Sequence, residues 1–314
     1  MARDCRYAAI QLMNVLGIEI GGTKLQLVRG DETGRILQRH RFQVEARAGA
    51  AGIRKHIVAT IPELINGSPV DAVGVGFGGP VDWQTGRICC SHQIAGWSEF
   101  DLRAWLESVT GARVRVDNDA NVAALGEARR GAGVGADPIF YVTLGSGVGG
   151  GLISGGKIYH GAPPGESEIG HVRLDRTGTT VESRCSGWAV DARIRGLKES
   201  RPGSLLARLI GDDQGGEARH LATAIAQRDE TAQQIVWEVA DDLAFGLSHV
   251  DHLFHPRVIV LGGGLSKIGE PLRAAVEKSL RAFIMTAFAP GPKIRLSQLG
   301  EDAVTVGALC LARG

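Results

Sequence analysis

Residues 15–30, VLGIEIGGTKLQLVRG, hold two apolar runs of strand composition around Gly21, Gly22, Thr23 and Lys24, which predicts a β-hairpin closed by a tight glycine turn. The same grammar returns at residues 139–153, where IFYVTL, the turn GSG and VGGGLI make a second such unit. Two copies of one hairpin suggest an internal duplication. Around the first copy the pattern continues with a strand in RILQRHRF, a helix over 48–65, and a buried strand in DAVGVGFGGP that Pro80 stops. A helix over 100–109, the strand RVRVD and an alanine-rich helix over 118–130 follow. Beyond the second copy come a long helix over 231–253, the strand VIVLGGG, a helix over 270–283, the short strand IRLSQL and a terminal alanine-rich helix. Strands alternating with helices predict an α/β protein. A chain of 314 residues exceeds one compact core, so two lobes with a cleft between them are expected, the boundary falling near 116–118.

Composition narrows the function classes. Hydrophobic residues at 44% and charged residues at 22% match a soluble globular protein. The net charge of +1 comes from basic and acidic residues interspersed along the chain, so no field for nucleic acid is built. No apolar run reaches the ~20 residues of a membrane span, and the start MARDCRYAAIQLMN lacks a signal peptide, which predicts a cytoplasmic protein without a membrane partner. Residues 1–14 read as a short extension, with Met13 an alternative start. Cys5, Cys89, Cys90, Cys185 and Cys310 form no CxxC pair, which argues for reduced thiols and against a disulfide framework or a cysteine-built zinc site.

Three glycine clusters, at 21–24, 145–151 and 262–264, each follow an apolar run, where glycine lets backbone N–H groups approach a phosphate. Each alone is also an ordinary turn. Gly74 to Gly79 and Gly145 to Gly150 both match GxGxxG, with Glu166 near the place of a dinucleotide site's ribose acid. Such a site needs the glycines to open a helix, whereas VGGGLISGG reads as a strand, so a nicotinamide oxidoreductase carries little weight. Asp117 and Asp119 flank Asn118 at the start of a helix, and an isolated DND reads as a cap. The functional alternative is a carboxylate that accepts a hydroxyl proton during phosphoryl transfer. Glu168 and His171 in ESEIGH sit behind the flexible GAPPG, as acceptors and donors for a sugar or as an ordinary surface loop.

Taken in order, GIEIGGTK, GFGGPVD, VDNDANVAALGE, TLGSGVGGGLI, GESEIGH and VIVLGGG resemble the ROK sugar kinases, from about Val15 to the C-terminus. The resemblance implies the actin-like ATPase (ribonuclease H-like) fold: a first lobe of residues 15–117 joined by the C-terminal helix 302–314, and a larger lobe of 118–301. It implies ATP-dependent phosphorylation of a hexose, glucose first, with Asp119 as general base. Gly78, Gly79, Asn118, Glu168, His171 and Glu182 would bind the sugar. Gly21, Gly22, Thr23, Lys24, Thr143, Gly145, Ser146, Gly147 and Gly149 would cradle the phosphates, with Gly262, Gly263 and Gly264 near the adenosine. Glu19 stands where the family usually has Asp, and would help organise Mg²⁺ with a longer reach. A homodimer is implied as well.

The departure from the family lies after EIGH, where most members carry a CxCGxxGC zinc motif and this chain reads HVRLDRTGTTVESRCSGWAVDAR. The following SGWAVDAR aligns Glu182 with the family's sugar-binding glutamate and leaves Cys185 outside any ligand position. One cysteine and one histidine cannot close a tetrahedral site, so no structural zinc is expected and His171 should be held by hydrogen bonds or packing. Family regulators need ~60–80 residues of winged helix ahead of the first strand, against the residues 1–14 here. Remaining alternatives are fructose, mannose, allose or an N-acetylhexosamine as acceptor, polyphosphate as donor, and a sugar sensor without catalysis.

Overall fold

The computed structural model describes residues 14–314 apart from 32, 92, 166, 213 and 214. The extension at 1–14 therefore lies outside the described residues except for Asn14, as does Glu166. The first sheet contains β1 (Val15–Ile20), β2 (Lys24–Gly30), β3 (Ile36–Gln43), β4 (Ala72–Phe77) and β5 (Arg113–Asn118), in the order β3-β2-β1-β4-β5. The second contains β6 (Ile139–Leu144), β7 (Val148–Ser154), β8 (Lys157–Ile158), β9 (Val258–Gly262) and β10 (Lys293–Leu296), in the order β8-β7-β6-β9-β10. In each sheet the first three strands are antiparallel and the last two run parallel to the first. The repeated hairpin in the sequence is thus a repeated topology. Every residue of β1, β4 and β9 is buried, as central strands covered on both faces require. By contrast β3 alternates half-buried and exposed residues, which suits its place at an edge.

Helices α1 (Gly49–Ile65) and α2 (Leu102–Thr110) cover the outer face of the first sheet, where Ile53, Ile57, Ile61 and Leu106 join Ile18, Val75 and Val116 in one core. Between the sheets runs α3 (Asp119–Arg130), and after the second hairpin come α4 (Val181–Cys185) and α5 (Gly187–Ser200). Two longer helices, α6 (Glu230–Phe254) and α7 (Glu270–Phe283), bury Leu243, Leu247, Val276 and Leu280 against Val142 and Leu261 of the second sheet. The chain then returns as α8 (Ala303–Arg313), which packs Leu309 and Ala312 on Val15, Val28 and Ala72. Glycine sets how close this return can come. A Cβ on Gly74 of β4 would collide with the carbonyl of Ala308, and one on Gly307 with the carbonyl of Val122. The backbone of α8 therefore rests directly on β4 and on α3.

Polar ties hold the same layer. Glu127 of α3 is fully buried and accepts hydrogen bonds from Ala132 N (2.6 Å), Ser297 Oγ (2.5 Å) and Leu299 N (3.0 Å), which join the end of α3 to the loop entering α8. Glu301 receives Arg41 from β3 and Lys267 from beyond β9, each at 2.9 Å. Element boundaries agree with the periodicity to within a residue or two, except that the strand expected in IRLSQL begins earlier and ends at Leu296. The pattern missed a small antiparallel sheet of Val81–Asp82, Arg87–Ile88 and Phe100–Asp101, whose strands are too short to show a period. No helix among the described residues is long and apolar enough to cross a membrane.

One buried group works against stability. Asp251 of α6 is 1% exposed, neither carboxylate oxygen has a hydrogen-bond partner among the described residues, and burial raises its pKa against the opposing influence of His255 and His252. An unsatisfied buried polar group costs about 1–3 kcal/mol. Asp251→Leu should therefore raise the thermal midpoint at pH 7 by a few degrees in scanning calorimetry. A lowered midpoint would show that the carboxylate has a stabilising partner.

Candidate active site

Strand β5 passes into α3 without a loop, so that Asn118 ends the strand and Asp119 begins the helix. Asn118 is extended (φ −62°, ψ 145°) and its Oδ1 accepts from Ala120 N at 2.8 Å and Asn121 N at 3.3 Å. The cap of the DND triplet is its asparagine, and neither aspartate is needed for it. The Nδ2 of Asn118 donates to the carbonyl of Gly79 at 3.3 Å. Asp119, in the first turn, carries its negative charge where the helix dipole favours one.

A glycine turn rests against that carboxylate, and a strand glycine against the residue after it. Gly78 N donates to Ile20 O at 2.8 Å, which docks the 78–79 turn on the end of β1. A Cβ on Gly78 would lie 3.3 Å from Asp119 Oδ2, so the carboxylate rests against a position with no side chain. From the second sheet, Gly149 of β7 leaves room for Ala120, the next residue of the helix. Glu19 of β1 is 7% exposed and is held by Lys24 Nζ at 2.8 Å and Gln26 Nε2 at 2.7 Å. Burial pushes the pKa of Asp119 up to about 7, Glu19 adds to the rise and Glu168 adds less, while the Ala120 N–H and Lys24 oppose it.

The second hairpin turn is built on its own backbone, Gly145 N donating to Gly147 O at 3.0 Å. Glu182 of α4 accepts from Val148 N at 2.9 Å, and its carboxylate fills the space beside Gly147. Gly187 N, opening α5, donates to Gly145 O at 2.6 Å. Gly263 has φ +80°, and a Cβ there would come 2.5 Å from Leu144 N, which brings the 262–264 turn against the end of β6 beside Thr143 and Ser146. In the first turn Gly21 N donates to Lys24 O at 2.9 Å, and the amide of Gln93 occupies the space beside Gly22, next to Thr23.

The structure thus gathers Glu19, Lys24, Gly78, Gly79, Asn118, Asp119 and Glu168 around the helix start. Glu182 lies with the 145–149 turn, one oxygen committed to backbone. His171 is exposed and its ring makes no hydrogen bond among the described residues, a correction to the expectation that bonding or packing would hold it. Cys185 is fully buried and bonds the carbonyl of Val239, so it serves packing. Among the described residues no group of three His, Cys, Asp or Glu side chains is arranged to hold a metal. Gly147 leads into strand β7, the wrong geometry for a dinucleotide helix.

Sequence reasoning missed His160 and Gln93, and read Asp117 only as a possible cap. Asp117 Oδ1 accepts from Asn118 N at 2.9 Å and Asn121 Nδ2 at 3.1 Å, while its Oδ2 meets His160 Nε2 at 2.7 Å, and His160 stacks on Trp83 at 4.2 Å. No local spacing signals a contact between residues 117 and 160. A carbon-13 NMR titration of the Asp119 carboxyl should show a midpoint near 7, shifted lower in Glu19→Gln because a like charge is removed. An ordinary carboxylate midpoint in the wild type would refute this electrostatic reading.

A family model described as ROK family matches residues 15–314. The glucokinase of Thermotoga maritima is 30% identical over 309 residues, covering 96% of this chain and 98% of its own length. The solved structure of a ROK family glucokinase from Streptomyces griseus, in complex with glucose and AMPPNP, superposes with a TM-score of 0.83 at 34% identity, covering 96% of this chain and 99% of that one. A ROK family transcriptional regulator, a homolog of the E. coli MLC protein, shares the fold at a TM-score of 0.85 and 19% identity, covering 96% of this chain and 78% of its own. With the match running from Val15 to the last residue, the chain belongs to the ROK family and has its actin-like ATPase fold.

Proposed function

We propose that this protein is an ATP-dependent sugar kinase, transferring the γ-phosphoryl group to a hexose hydroxyl, most readily the 6-hydroxyl of glucose. The observation that carries the proposal is the carboxylate of Asp119, buried at the start of α3 against Gly78, with its pKa raised to about 7. A base of that strength is matched to neutral pH. In the reaction, the sugar oxygen forms its bond to the γ-phosphorus as the bond from phosphorus to the bridging oxygen breaks. ADP leaves, and the hydroxyl proton passes to Asp119.

The other residues would act by position. Backbone N–H groups of the 21–24 and 145–149 turns would face the phosphates, and the 262–264 turn the adenosine. Gly78, Gly79, Asn118, Glu168, His171 and Glu182 would surround the sugar, although Asn118 Oδ1 is already engaged as the cap. Glu19, whose two oxygens are held by Lys24 Nζ and Gln26 Nε2, would act toward Mg²⁺ through water, with Asp119 as a second carboxylate beside a nucleotide's phosphates. When bound, Mg²⁺ would offset charge on the phosphates. Glucose and ATP are supported by the relative solved with glucose and AMPPNP. The division at 117/118, a cytoplasmic homodimer and the lack of structural zinc belong to the same proposal.

Asp119→Asn should lower kcat by about a hundredfold or more while sugar affinity stays near that of the wild type, as measured by coupled ADP release and glucose titration. Full activity in the variant would remove Asp119 from the role of base. The wild type should turn over at least one hexose in a panel of glucose, fructose, mannose, allose and N-acetylhexosamines. Binding without turnover across the panel would favour a sugar sensor, a reading supported by the regulator of the same fold. Elemental analysis of the purified protein should find no stoichiometric zinc.

A further inference from the structure

Next to the catalytic cluster, a cavity of about 930 Å³ opens along the free edge of the first sheet. Its walls carry five cations, Arg103 and Arg115 from the first sheet and its helix and Arg129, Arg130 and Lys157 from α3 and β8, with Arg313 of α8, which has its own partner, beside them. Its floor is apolar, with Trp83, Val116, Leu125 and Leu311. Among the described residues the acidic side chain on these walls is Asp117, which is bonded to His160.

The arginines are held in place by groups that leave their charge standing. Arg103 donates to the carbonyls of Gln84 (2.6 Å) and Trp83 (2.9 Å), Arg115 to that of Leu311 (3.1 Å), and Arg129 to that of Gly156 (2.9 Å). Among the described residues, none of the five cations forms an ion pair with an acidic side chain. Burial together with neighbouring Arg113 and Arg103 holds the guanidinium of Arg115 below its ordinary pKa. Like charges concentrated over an apolar floor, and fixed by neutral carbonyls, are the complement of an anion with a less polar body. The volume suits a ligand of nucleotide or sugar phosphate size.

We infer that this groove is a second ligand site, for a small phosphate-bearing metabolite, distinct from the cleft at Asp119. It does not depend on the kinase assignment. Its walls come from both sides of the 117/118 step, so an occupant would bridge the two sheets and bias their relative position. Asp117 on the groove wall also bonds the backbone N–H of Asn118, which places the site one residue from the proposed base.

Calorimetric titration of the full chain with inorganic pyrophosphate, in metal-free buffer at matched ionic strength, tests the site. The wild type should bind saturably, and Arg130→Glu/Lys157→Glu should weaken that binding by about tenfold or more. Thermal midpoint and KM for ATP should be unchanged in the variant, which separates the groove from the catalytic turns. Should that variant fail to fold, Arg130→Gln/Lys157→Gln replaces it with the same expected direction. Titrations with a hexose phosphate and with AMP identify the body of the ligand, since the true class should bind more tightly than pyrophosphate and lose that advantage in the variant. Equal pyrophosphate binding by wild type and a folded variant, or no saturable binding by the wild type, would overturn the proposal.

Discussion

The arrangement depends on one steric constraint, the crossing of α8 over β4 and α3 at backbone distance. Gly74 and Gly307 have no side chain to hold these segments apart, and any Cβ there would strike a carbonyl. Because α8 is the last segment of the chain yet packs on the first sheet, this contact joins the two halves of the molecule. It also fixes α3, whose N-terminus presents Asp119. The buried Glu127 secures the opposite end of the same helix through backbone N–H groups, so the proposed base stands on a helix anchored at both ends.

At the helix start, electrostatics and geometry serve different residues. Asn118 does the structural work of capping, which leaves the Asp119 carboxylate free to lie against Gly78. Burial and the charge of Glu19 then hold that carboxyl near neutrality. A cap made by Asp119 itself would have tied up its oxygen on backbone N–H groups and favoured its charged form. The asparagine in the middle of the triplet is therefore as important to the proposed chemistry as the aspartate beside it.

Much of the fold was legible in the sequence, because burial on both faces makes β1, β4 and β9 continuous apolar runs and because the glycine turns recur in the same setting. Asp119 was legible as a candidate only through the motifs around it. What could not be read were contacts with no periodic signature. His160 reaches Asp117 across forty-three residues, and Gln93 fills the space beside Gly22 from a loop without regular structure. Glu182 was identified as a site residue, but its bond to Val148 N depends on how α4 follows the shortened loop, which spacing does not encode. Gly74 matches GxGxxG, a pattern that says nothing of its structural role, which is to admit a helix from the other end of the chain.

Glu301 gives the molecule a sensitivity of another kind. Its partners, Arg41 of β3 in the first sheet and Lys267 in the turn after β9 of the second, and Glu301 itself are all open to solvent. Together they hold the Glu301 carboxyl down to about 2, so the junction stays charged throughout the neutral range. Exposed ion pairs contribute about 0–1 kcal/mol and are screened by electrolyte, with a Debye length of about 8 Å at physiological ionic strength. In dilute buffer the junction adds an electrostatic strut across the two halves, while in concentrated salt the connection rests on the close crossing of α8 and the buried bonds of Glu127.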